Sequence, residues 1–231
     1  MITLLQINTV SDSITKPEIT EKTLSVVNLI TSGGIGGNLV MGALGVLSIF
    51  AIYILIERYS TIKKASQEDE TFLKSIQNFV EAKDIEAAKT LCRNTDSPIS
   101  RMIEKGVNRI EKPMTDISSA IENQGKLEVY KMENNLANLA TISGAAPMIG
   151  FLGTVIGMIV AFHEMASAGG NIDVEMLSKG IYTAMTTTVA GLVVGIIAFI
   201  AYNYLVSKVD KVVFMLEAKT TEFLDLLHHN E

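Results

Sequence analysis

The chain has 231 residues, of which 19 are basic and 25 acidic, giving a net charge of −6. An acidic chain with a pI near 5.2 offers no basic footprint for nucleic acid, and a single cysteine, Cys92, excludes a disulfide framework within one chain. The charges leave three windows empty, Thr23–Ile56, Asn134–His163 and Gly180–Ser207, of 34, 30 and 28 residues.

Each window exceeds the roughly 20 apolar residues that a helix needs to cross a bilayer. With 48% hydrophobic residues and a mean hydropathy of +0.33, the pattern predicts an all-α integral membrane protein with three transmembrane helices. The opening MITLLQINTVSDS has no basic n-region, so a cleaved signal peptide is not expected and the first window should remain as an anchor. Residues 1–37 are expected to form an outer, periplasmic segment. Within it Ile19, Thr23, Val26, Val27 and Ile30 recur at helical spacing, and Thr15 with Glu18 has the form of a capping box. That predicts an amphipathic helix on the membrane surface; a tail with residual helix is the plainer reading. The Thr31–Asn38 stretch, TSGGIGGN, is polar and glycine-rich, so stable helix in lipid is expected to start only at about Leu39. The first transmembrane helix is placed at 38–58.

A helical region follows over 59–133. Phe72, Ile76, Phe79 and Val80 make one apolar stripe, and Ile85, Ala88, Leu91 and Cys92 another. Asn94–Asp96 and Pro98 interrupt the pattern. Ile99, Met102, Ile103, Val107 and Ile110 form a third stripe, which Pro113 ends. Thr115 or Asp116 can cap the next helix, whose pattern runs from Ile117 without proline into the second span, 134–163. A short outer loop, 164–179, leads to the third span, 180–206. Leu205, Val209, Val212, Leu216, Thr220, Phe223 and Leu227 then recur every three or four residues, extending that span as a helix over 207–231.

Lysine and arginine near the span ends set orientation. Arg58, Lys63 and Lys64 follow the first span, Lys126 and Lys131 precede the second, and Lys208 and Lys211 follow the third. Only Lys16, Lys22 and Lys179 stand on the other side. The expected topology is N-out, C-in, with 59–133 and 207–231 cytoplasmic. Tyr53, Tyr59, Tyr182, Tyr202 and Tyr204 lie near span ends, where interfacial aromatics concentrate.

The second and third spans carry stripes of small residues. Gly150, Gly153, Gly157 and Ala161 share one face, and Ala184, Thr188, Gly191, Gly195 and Ala198 another. In lipid such stripes mark contact faces between helices, in the same or another subunit. Pro147 removes a backbone donor and is expected to kink the second span. The internal polar groups are hydroxyls: Thr141, Ser143, Thr154, Thr183, Thr186, Thr187 and Thr188. An isolated threonine in a span ordinarily bonds a carbonyl of its own helix. Three in succession cannot share one face, and Thr154 is expected to face Thr188 in a narrow, uncharged polar lining. The windows hold no Asp, Glu, Lys or Arg, whereas carrying protons across a membrane requires a titratable group at depth. Glu57, His163 and Glu164 stand only at the edges. Either the chain conducts no ions, or a partner supplies the ionisable residue.

The runs GAAPMIGFLGTVIGMIVAF (144–162) and GIYTAMTTTVAGLVVGI (180–196) resemble the MotA/TolQ/ExbB proton-channel family. The stretch DIEAAKTLCRNTDSPISRMIEKGVNR (84–109) is similar to the cytoplasmic segment of ExbB and TolQ, and three N-out spans match those two rather than MotA, which has four. The resemblance implies a subunit of an ion-driven motor in the bacterial cytoplasmic membrane. Five copies would ring a central pore that holds helices of an ExbD- or TolR-like single-span partner, whose membrane aspartate carries the proton. The assembly would energise a TonB- or TolA-like protein for outer-membrane transport or envelope maintenance. No organic cofactor or metal is implied; the coupling ion is the proton, with sodium use known in the superfamily, and bound membrane lipid is compatible.

By the same resemblance Thr154 matches the pore threonine of the family's GTV motif, Thr188 the threonine before the third-span glycine, and Pro147 the Ala-Pro kink. Thr187 and Thr183 complete the expected lining, and Gly150, Gly153, Gly157, Gly191 and Gly195 the packing set. Thr183 stands where ExbB and TolQ of the best-known type carry glutamate, so that glutamate cannot be an obligate relay here. A competing reading is a non-conducting oligomeric scaffold that recruits proteins through its cytoplasmic bundle. An intramembrane enzyme would need paired aspartates or a Ser/His arrangement at membrane depth, and the sequence has neither. Three spans also do not divide into the inverted halves of a transporter.

Overall fold

The computed structural model describes residues 34–66, 70–167 and 174–229. Those residues form seven helices: α1 (Gly34–Ala65), α2 (Glu70–Glu81), α3 (Ile85–Asn94), α4 (Pro98–Val107), α5 (Met114–Glu133), α6 (Leu136–Ser167) and α7 (Val174–His229). The surface helix expected within residues 1–37 lies outside the described residues, as do residues 168–173 of the loop. Among the described residues three helical stretches are long and apolar enough to cross a membrane: α1, α5 with α6, and α7. Large apolar side chains such as Leu39, Ile49, Met148, Ile159, Val189 and Ile200 stay exposed along them. Lipid or neighbouring helices would cover such a surface without the penalty of about 25 cal/mol/Å² that water imposes.

α1 starts five residues earlier than the glycine content of its first turn suggests. Packing explains the difference: a Cβ on Gly36 would lie 2.9 Å from Ile156 of α6, and one on Gly37 would lie 3.9 Å from Thr183 of α7. The glycines bring the start of α1 against both other long helices, and that contact offsets their poor helix propensity.

Local caps divide the intervening chain. Just past the end of α2, Lys83 adopts φ 57, and the amides of Lys83 and Asp84 close back onto the carbonyls of Val80 and Phe79. Asp84 then caps α3 by accepting from the amide of Ala87 at 3.0 Å. Ser97 caps α4 in a reciprocal box with Ser100, and Pro98 occupies the first turn. α5 begins at Met114, ahead of both expected caps. Pro113 stands at its N-cap without a side-chain bond, and the Pro113 carbonyl accepts from Asp116 at 2.8 Å. Asp116 sits inside the first turn, where its charge suits the helix dipole.

The continuous helix expected from Ile117 into the second span is broken by two residues. Asn135 takes φ 64, a left-handed conformation that asparagine tolerates better than most residues. The break exposes the last carbonyls of α5, and Arg58 of α1 answers one of them: its guanidinium donates to the Lys131 carbonyl at 2.8 Å. The same guanidinium, buried at 6% exposure, donates to both carboxylate oxygens of Glu57 at 3.0 and 2.6 Å.

Beyond the apolar windows the short helices pack on the second half of α7. Phe72, Ile76 and Val80 of α2, Met102, Ile103 and Val107 of α4, and Ile117 and Ile121 of α5 share one core with Val209, Val212, Leu216, Phe223 and Leu227 of α7. Gly106 marks the closest approach: a Cβ there would lie 2.7 Å from Ile121 and 2.9 Å from Phe223. Cys92 is 2% exposed in this core, and burial, followed by the Glu104 charge, pushes its thiol up to about 12. It is an apolar packing group. Glu128 of α5 is also buried. Burial pushes its carboxyl up, but hydrogen bonds from Arg101 and Lys131 and the charges of both outweigh that and hold it below the usual range. Arg101 of α4 grips it with two bonds, at 3.1 and 2.8 Å.

Candidate functional site

α6 and α7 run antiparallel, and their small-residue stripes meet each other within one chain. Ala161 lies opposite Gly180, Gly157 opposite Ala184, Gly150 opposite Thr187, Thr188 and Gly191, and Pro147 opposite Gly195. The approach leaves no room for side chains. A Cβ on Gly191 would sit 2.5 Å from the Ala146 carbonyl oxygen, and one on Gly150 would sit 2.7 Å from the Thr187 carbonyl oxygen. Gly153 abuts the Thr187 hydroxyl and Val40 of α1. In lipid, close backbone packing of this kind replaces the hydrophobic drive that associates helices in water.

Pro147 lies inside α6. Lacking an N–H, it leaves the Ser143 carbonyl without its usual donor. Gly195 is placed over that gap: a Cβ there would lie 2.6 Å from the proline ring and 3.0 Å from the Ser143 carbonyl oxygen.

The threonines divide by partner. Thr187, 2% exposed, donates between the Ala184 carbonyl at 2.7 Å and the Gly150 carbonyl at 3.1 Å. Thr188 donates to the same Gly150 carbonyl at 3.1 Å. The Gly150 oxygen thus accepts from two consecutive hydroxyls of the facing helix. Thr154, part-exposed one turn beyond Gly150, donates to its own Phe151 carbonyl at 2.6 Å. Thr186 donates to Tyr182 at 2.8 Å and Thr141 to Ala137 at 2.9 Å, bonds that any span threonine makes. Thr183 is partly exposed beside Gly37. Thr154 and Thr188 therefore bond adjacent carbonyls of α6.

Thr187 is the residue whose position a single stripe conceals. It lies three residues after Ala184 and four before Gly191, so it shares their face, and that double spacing is the signal that identifies it. Arg58 carries a second role that its place in the charge pattern does not reveal. Among the described residues no group of three or more His, Cys, Asp or Glu side chains is arranged to hold a metal ion.

The sequence has known relatives. The model of the MotA/TolQ/ExbB proton channel family matches residues 94–218, more than half of the chain. The chain is 26% identical over 187 residues to a putative biopolymer transport protein ExbB homolog of Methanothermobacter thermautotrophicus, a match covering 80% of this chain and 64% of the relative. It is 40% identical to the biopolymer transport protein ExbB of Helicobacter pylori over 34% of this chain and 54% of that protein. It is 23% identical to the Tol-Pal system protein TolQ of Pseudomonas aeruginosa across 92% of this chain and 96% of that protein. The chain thus spans between about half and two-thirds of the ExbB relatives, and nearly all of TolQ.

Proposed function

Because the chain belongs to the MotA/TolQ/ExbB proton channel family, we propose that it is the ring-forming subunit of an ExbB/TolQ-type ion-driven motor. It is a multi-pass protein of the inner membrane. In the proposed assembly the N-terminus is outside and the C-terminus in the cytoplasm, and five copies surround a pore lined by α6 and α7. An ExbD- or TolR-like single-span protein enters the pore and contributes a membrane aspartate. The proton motive force, acting through that carboxylate, energises a TonB- or TolA-like protein.

One observation supports this reading above the rest. α6 and α7 hold each other through a glycine–threonine seam, yet the sequence places no Asp, Glu, Lys or Arg in Asn134–His163 or in Gly180–Ser207. A proton path needs a titratable group at depth, so the chain makes sense as the hydroxyl-bearing half of a two-component site. Thr154, Thr183 and Thr188, all partly exposed, are proposed to hydrate or orient the partner's carboxylate. Thr187, beneath them, fixes the wall. With Thr183 at the position where the family resemblance implies glutamate, the acid is proposed to come entirely from the partner.

Purification from native membranes in mild detergent, with mass measurement of the intact complex, tests the proposal. A co-purifying one-span protein with an aspartate in its span is the expected result. A pure homo-oligomer would sink the motor reading and favour a scaffold. Thr154→Val and Thr188→Val should each abolish energised transport while the complex still assembles; full activity in both would remove the lining role.

A further inference from the structure

Just past the apolar windows, α1 and α7 enclose a pocket of about 340 Å³. Lys63 comes from α1, and Lys208 and Lys211 from α7; Ile62 and Leu205 are the buried floor. No carboxylate of the described residues lines it. Among the described residues none of the three lysines enters an ion pair, whereas Lys89, Lys126, Lys131 and Lys219 all do. Arg58, also on α1, is engaged by Glu57 and the Lys131 carbonyl. On the membrane side the pocket is closed by Tyr59, whose ring stacks on Tyr204 with centroids 6.4 Å apart. The Lys208 ammonium lies 5.5 Å from the Tyr204 ring centroid, a cation–π contact that holds it at the pocket.

We infer that this pocket is a binding site for the phosphodiester headgroup of an anionic membrane lipid. Three ammonium groups lining one pocket, with no counter-charge among the described residues, call for an anion, and depth selects its source. Lys208, Lys211 and Lys63 follow the ends of their charge-free windows by one, four and seven residues. At 1.5 Å per residue Lys208 and Lys211 stand about 1.5 and 6 Å beyond the hydrocarbon, within the headgroup layer, and Lys63 about 10 Å beyond it, from where its long side chain reaches back to that layer. One turn toward the membrane from the tyrosine pair, Ile56 and Ile200 are 61% and 63% exposed, giving acyl chains an apolar surface on which to lie. Orientation by positive charge alone does not require this convergence: Lys64 satisfies the same rule and lies outside the pocket. Basic pockets between spanning helices are the form that headgroup recognition takes.

The test uses the full chain in mild neutral detergent, with native mass spectrometry counting lipid adducts from equal phosphatidylglycerol and phosphatidylcholine. The parent should prefer phosphatidylglycerol by about tenfold or more, given three lysines at the surface. K63Q/K208Q/K211Q should bring the preference to within about twofold. The control K89Q/K126Q/K219Q removes the same charge from paired surface lysines and should keep it. Equal preference in the two triple variants would overturn the site. A parent without preference would also overturn it. Displacement of phosphatidylglycerol by millimolar inorganic phosphate would replace the lipid with a free anion and refute the proposal as stated.

Discussion

Thr187 of α7 donates its hydroxyl to the Gly150 carbonyl of α6 at 3.1 Å, across a contact too close for a methyl group at Gly150. The hydrogen bond and the glycine depend on each other. Without the glycine the hydroxyl could not reach the carbonyl, and without the hydroxyl the close approach would bury a bare threonine methyl against backbone.

Gly191→Ala places a Cβ 2.5 Å from a backbone oxygen and 2.9 Å from the Gly150 Cα. Neither can yield as a flexible side chain would, so α6 and α7 must separate. A cost of about 1–3 kcal/mol is expected, as for other overpacked contacts. Gly45→Ala, on α1 with nothing within 4 Å, should instead be neutral or stabilising by up to about 1 kcal/mol, because helical alanine loses less entropy. Thermal unfolding followed by circular dichroism in one detergent compares the two. Equal melting temperatures would mean that the seam does not hold the helices.

Thr187→Val keeps the shape and removes both hydroxyl bonds. The Gly150 oxygen retains Thr188, so the expected loss is about 1 kcal/mol. Thr187→Ser should restore most of it. A valine variant as stable as the parent would show that the bond contributes nothing to the seam.

Glu128→Gln tests the buried pair with Arg101. The expected cost near neutral pH is about 2 kcal/mol, the penalty for leaving a buried partner short of its bonds. The folded-state pKa of Glu128 is lowered, so its contribution is fully present above the ordinary glutamate value of about 4.3. It disappears as pH falls through the lower folded value. Melting temperatures measured from pH 7 to pH 3 should converge for parent and variant at the acid end. A constant gap across that range would contradict the assignment.

Arg58→Ala leaves the Lys131 carbonyl and the Glu57 carboxylate without their donor. Amide hydrogen exchange should speed up around Met132–Leu139, at the α5–α6 break, with a stability loss of about 2 kcal/mol. Arg58→Lys keeps the charge but cannot span both acceptors, and should recover less than half of the protection. Unchanged exchange at the break in Arg58→Ala would remove Arg58 from that role.

Periodicity made much of this architecture readable. The recurrence from Leu205 to Leu227 marks the face of α7 that the distal core buries, and the apolar stripes of α2 to α4 coincide with theirs. Three features escaped because they depend on partners distant in sequence. Helix at Gly34–Gly37 follows from the surfaces of Ile156 and Thr183, which local propensity does not contain. The break at Asn134–Asn135 rests on one left-handed asparagine in a run that otherwise reads as helix, and on an arginine 73 residues before the Lys131 carbonyl it bonds. At the seam, the glycine stripes were plain, but Thr187 sits between two of the residues used to draw one of them. Which threonine is buried depends on the rotation of α7 against α6, and composition cannot supply that angle.

α7 runs for 56 residues without interruption, about 84 Å at helical rise, while its neighbour is jointed at Asn134–Asn135. The two therefore differ as mechanical parts. A twist applied to α7 at the depth of Thr187 reaches Phe223 along one stiff shaft. The same twist applied to α6 can be absorbed at its joint before it reaches α5, so in the proposed motor torque would leave the bilayer by the C-terminal route.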